Sequence, residues 1–83
     1  MRLSEDAYNK IELAARDIGF NTRMAGQYIN FENGKQSLLV DIYNNVLFLP
    51  SSNELVEFES CEMSKVIVDQ LRNIVLNNKG AKC

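Results

Sequence analysis

Apolar positions recur along this chain in two different periods, and the change of period marks its architecture. Between residues 5 and 18, Ala7, Tyr8, Ile11, Ala14, Ala15 and Ile18 fall on one helical face, with Asn9, Glu12, Arg16 and Asp17 opposite. Ser4 is a good N-cap, and Glu5 and Asp6 suit the positive end of the helix dipole. Leu3 and Tyr8 have the spacing of a hydrophobic staple. Gly19 is placed to stop the helix in the left-handed conformation, with Phe20 folding back on the last turn. Leu13 falls off the stripe. Helical spacing returns from about Ser60 to Asn78 in Met63, Ile67, Leu71, Ile74 and Val75, unbroken by Gly or Pro. Lys79 and Gly80 supply C-terminal signals, and the residues from about 80 to 83 are expected to fray.

Between the helices the period shortens to two. Asn33-Gly34 is a strong hairpin signal, because a tight turn of this kind needs positive φ. It predicts a strand near Arg23–Glu32 joined to one near Lys35–Tyr43. Asn44-Asn45 is a weaker signal of the same kind and leads to Val46–Leu49. Pro50 ends that strand, since it cannot donate to a ladder, and 51–53 read as a loop. Leu55–Glu59 is a candidate fourth, short edge strand. The predicted fold is therefore α+β. It is a single small domain over residues 1–83, built as helix, three- or four-stranded antiparallel meander, helix, with helices on at least one sheet face.

The turns set registers, and registers set faces. Two-residue loops at Asn33-Gly34 and Asn44-Asn45 would oppose Ile29 to Leu38, Gln27 to Val40, Ala25 to Ile42, Ile42 to Leu47 and Val40 to Leu49. One face then collects Ala25, Ile29, Phe31, Leu38, Val40, Ile42, Leu47 and Leu49, with Gln27 out of character. The other collects Met24, Tyr28, Leu39, Tyr43, Val46 and Phe48, with Asp41 among them. This second face is too apolar for an ordinary solvated one. Either a helix covers it, or it is an interface with another protein or a second copy. Its aromatic and Met content suits an interface core.

Composition narrows the function. In 83 residues, 46% hydrophobic and 24% charged is ordinary globular usage, which argues against disorder. The net charge is −2 and no basic block occurs, which disfavours nucleic acid as a partner. Stacking of bases on Tyr8, Tyr28 and Tyr43 is opposed by Asp41 and by the lack of cations on that face. Met1–Asp6 turns polar at once, so no signal peptide is expected, and no apolar run approaches a membrane span. Cys61 and Cys83 are too few for a disulfide framework and predict free thiols in a reducing, cytoplasmic setting. Cys61 is expected to be a buried or semi-buried structural residue.

Catalytic signatures are missing. The chain has no histidine, which removes the commonest general base and most zinc sites. It has no CxxC, P-loop, GxGxxG or GxSxG motif. Glu54, Glu57, Glu59 and Glu62 form an acidic run that suits a solvated face or a patch for a basic partner. Carboxylate catalysis needs two groups held across a cleft in different environments, and a strand leading into a helix does not offer that. No enzyme activity, cofactor or metal is expected.

A compact, acidic, His-free, Asn-rich chain of this size resembles, in size and composition, the small inhibitors that bacteriophages and other mobile elements encode. Anti-CRISPR and other anti-defence proteins are among them. The resemblance implies a steric block of a host protein's functional surface, in the host cytoplasm, and carries no residue roles. The sequence thus points to a protein-binding module using Met24, Tyr28, Leu39, Tyr43, Val46, Phe48, the segment Glu54–Glu62, or both. The alternative is a homodimer that buries the aromatic sheet face. A small nucleic-acid-binding protein or carboxylate enzyme is a third, disfavoured reading.

Overall fold

The computed structural model describes residues 3–50 and 52–80, with side chains through Leu76. The elements run α1 (Glu5–Ile18), β1 (Asn21–Ala25), β2 (Tyr28–Glu32), β3 (Ser37–Asp41), β4 (Val46–Leu49), β5 (Glu54–Glu57), a 3₁₀ turn (Ser60–Glu62) and α2 (Met63–Gly80). The five strands form one antiparallel meander in the order β1-β2-β3-β4-β5. The α+β class and the helix–sheet–helix order are as the sequence predicts, with more strands than the three or four expected. The expected fraying after Gly80 and the free thiol of Cys83 lie outside the described residues.

Helix α1 begins and ends as its sequence dictates. The Ser4 hydroxyl accepts from the Ala7 amide at 3.1 Å, capping an otherwise orphaned donor. Gly19 adopts φ 111, and the Gly19 and Phe20 amides donate to the Arg16 and Ala15 carbonyls, the pairing of a Schellman motif. The same turn swings Phe20 into the core beside Ala15. Leu3 is buried, and Tyr8 packs against the same core. Leu13 is exposed.

One core holds the molecule together. Ile29, Phe31, Leu38, Val40 and Leu47 from the sheet, with Ile42 from the turn after β3, meet Ile11 and Ala15 of α1 and Met63, Ile67 and Leu71 of α2. Both helices therefore pack on the same sheet face, and they also touch each other. The 3₁₀ turn is a lead-in that the sequence pattern had merged with α2. Met63 is the first buried residue of that segment, so Cys61 lies outside the core and is exposed, contrary to the structural role expected of it.

The added strand comes from a hairpin at Gly26-Gln27. The predicted strand Arg23–Glu32 is two strands, with Ala25 paired to Tyr28 across a two-residue turn in which Gly26 has φ 63. The turn pairs Met24 with Ile29, which puts Met24 on the helix-covered face and Ala25 on the other. It also explains Gln27, which sits in a turn and not in a strand.

The other two hairpins keep their predicted faces but not their predicted registers. Phe31 pairs with Leu38 and Ile29 with Val40, so the first turn centres on Gly34-Lys35, one residue beyond Asn33-Gly34. Asn33 drives the slide, because its side-chain oxygen accepts from the Lys35 amide at 3.0 Å and the Gln36 amide at 2.8 Å. Val40 pairs with Leu47 across a four-residue connection, Ile42–Asn45, that ends on Asn45 with φ 57. Each register moves by two residues, and a shift of two leaves every side chain on its own face.

Candidate functional site

The sheet face away from the helices is the candidate site. Paired residues share a face, so the registers lay out rows across it. One row runs Ala25, Tyr28, Asp41, Val46, Glu57, and the next runs Arg23, Asn30, Leu39, Phe48, Leu55. Tyr28, Leu39, Asp41, Asn44, Val46, Phe48 and Leu55 line a shallow depression of about 260 Å³. Tyr28 is 43% exposed and Leu55 70% exposed, so among the described residues nothing covers this face. Leu39, Val46 and Phe48 are half-buried between them.

The structure brings together five of the ten candidate residues read from the sequence: Tyr28, Leu39, Val46, Phe48 and, on the neighbouring strand, Glu57. Met24 is excluded by the Gly26-Gln27 hairpin. Tyr43 is 52% exposed but stands in the β3–β4 turn beside the depression. Leu55 is the residue that sequence reasoning missed. Its signal was the adjacent apolar pair Leu55-Val56 between Glu54 and Glu57, which can be divided between the two faces only once β5 is paired with β4. Glu54 is exposed at the start of β5, while Glu57, Glu59 and Glu62 border a separate groove with Val56, Phe58 and Val66.

Asp41 anchors one end of the depression. Its carboxylate accepts from the Tyr43 and Asn44 amides at 3.0 and 3.1 Å, from Asn44 Nδ2 at 2.8 Å and from Gln27 Nε2 at 3.0 and 3.1 Å. It therefore locks the β3–β4 turn and ties it to the β1–β2 turn. Partial desolvation pushes its pKa up, but the bonds from Asn44, Gln27 and Tyr43 outweigh that and hold it below the ordinary 3.8. A depressed folded value stabilises the fold above the ordinary carboxyl range, and that stability is lost as pH falls through the folded value. Asp41→Ala should cost about 1–2 kcal/mol in urea denaturation at pH 7. Its gap from the unaltered chain should narrow as acid protonates Asp41.

Among the described residues, no group of three His, Cys, Asp or Glu side chains is placed to hold a metal ion. No helix of the described residues is long and apolar enough to cross a membrane. Comparison with protein-family models, with curated proteins and with solved structures returns no match.

Proposed function

We propose that this chain is a non-enzymatic protein-binding module that engages its partner through the open face of the sheet. The observation that carries this reading is the uncovered row Leu39–Phe48–Leu55 flanked by exposed Tyr28. A solvated antiparallel face ordinarily alternates to polar residues. A sheet of this size gains nothing from holding aromatic and aliphatic side chains in water, whereas an interface core uses them. The face is also preorganised. Its residues sit on strands braced from behind by two helices and at one end by Asp41, so binding orders little. The likeness in size and composition to phage-type inhibitors makes steric block of a host protein in the cytoplasm the physiological form of this binding. Burial of the same face between two copies is the alternative.

A photo-activatable amino acid at position 55 tests this in the cell that makes the chain. It should crosslink to one protein, while the same group at position 13, on the outer face of α1, should not. Equal crosslinking from both positions would remove the open face as the contact surface.

A further inference from the structure

β5 is an outer strand of the meander, and its register fixes which peptide groups face its free side. The Phe58 amide donates to the Asn45 carbonyl at 3.0 Å, and Val56 pairs with Leu47, so both residues turn their peptide groups inward to β4. Leu55 and Glu57 alternate with them and turn theirs outward. Both are exposed, and among the described residues no strand and no backbone hydrogen bond outside the ladder occupies that side. A groove of about 400 Å³ lies there, separate from the open face and lined by Val56, Glu57, Phe58, Glu59, Glu62 and Val66. Val56 and Glu57 point to opposite sheet faces and still share it, which places the groove at the strand's edge. Val56, Phe58 and Val66 pack against the core and are half-buried. The other three are exposed carboxylates, and no cation lines the groove. Lys65, the nearest cation in sequence, has its Nζ 3.5 Å from Asp69 Oδ2 on the same helix.

We infer that the β5 edge and its groove bind an extended segment of another protein, alternating apolar with Lys or Arg residues, as an added strand. This site is distinct from the open face and does not depend on it. The outward peptide groups of Leu55 and Glu57 supply main-chain hydrogen bonds to the segment. Its apolar side chains lie beside Val56, Phe58 and Val66, and its cations answer Glu57, Glu59 and Glu62. Charged residues on an edge strand ordinarily block pairing with another chain. Here the charges are of one sign, so they reject acidic segments and select basic ones. A second copy fits poorly, because β5 against β5 would set Glu54 and Glu57 of one chain against the same carboxylates of the other.

Short peptides that alternate Val with Lys, Gln or Glu test this on the full chain by amide NMR titration and hydrogen exchange, with sedimentation of the chain alone in parallel. The Lys peptide should shift residues 55–59, Glu62 and Val66, and slow exchange of the Leu55 and Glu57 amides by about tenfold or more at saturation. It should bind about tenfold tighter than the Gln peptide at low salt. The preference should close at roughly 0.5 M salt. A chain carrying Glu57→Gln, Glu59→Gln and Glu62→Gln, all exposed positions, should bind the Lys and Gln peptides alike. Equal or tighter binding of the Gln or Glu peptide by the unaltered chain would overturn the inference, as would binding that leaves the Leu55 and Glu57 amides unprotected. Self-association of the chain through β5 would overturn it in favour of a second copy. Shifts confined to Tyr28, Leu39 and Phe48 would overturn it and leave the open-face reading standing, and no shift at residues 55–59 would overturn it without touching that reading.

Discussion

Phe31→Ala should remove a quarter or more of the stability of this domain and leave a readily unfolded chain. Phe31 is fully buried on β2, between the sheet and the two helices. It is one of the largest side chains in a core that has no second layer to fall back on. A domain of this length is stable by about 4–12 kcal/mol in total, and truncating a buried phenylalanine costs about 3–5 kcal/mol in lost transfer energy and cavity formation. Urea denaturation followed by circular dichroism measures the loss directly. Leu13→Ser is the internal comparison, because Leu13 is exposed on α1 and should change stability by no more than about 0.5 kcal/mol. Similar losses for the two variants would mean that Phe31 is not the centre of the core.

Tyr28→Ser with Leu55→Ser should cut affinity for the partner by roughly 30- to 1,000-fold while leaving the fold intact. The two residues come from β2 and β5, on opposite sides of the depression, and are the exposed large hydrophobic members of its lining. Anchors of this type at an interface centre carry about 1–2 kcal/mol each or more. Both are exposed and neither belongs to the buried core, so thermal unfolding should stay close to that of the unaltered chain. The partner is first obtained through the position-55 crosslink, and affinity is then measured on the purified pair. Undiminished binding would move the contact to another surface, such as the outer helix faces that expose Leu13 and Leu76.

Much of the fold is legible in the residues alone, because its signals are local. Ser4, Gly19 and Phe20 bound α1 through hydrogen bonds within one turn of chain, and the stripe of Met63, Ile67 and Leu71 depends only on helical period. The helix-facing sheet residues Ile29, Phe31, Leu38, Val40, Leu47 and Leu49 follow from strand alternation. Alternation survives a register shift of two, so misplacing the centres of two turns did no harm to the face assignment. The Gly26-Gln27 hairpin was different. It reverses the chain inside an apparent strand and swaps Met24 and Ala25 between faces. A lone Gly in an alternating run does not distinguish a reversal from a bulge.

The sequence by itself determined the α+β class, the limits of α1, most of the core face and the lack of histidine. Only the tertiary structure decided that both helices share one face and that the apolar side of β3, β4 and β5 is left open. Which sheet face a helix chooses depends on the summed packing of distant residues. Here Ile11 and Ala15 from one end of the chain and Ile67 and Leu71 from the other must meet over the same strands. Each helix buries its one apolar stripe there, and no further stripe is left among the described residues to cover the second face.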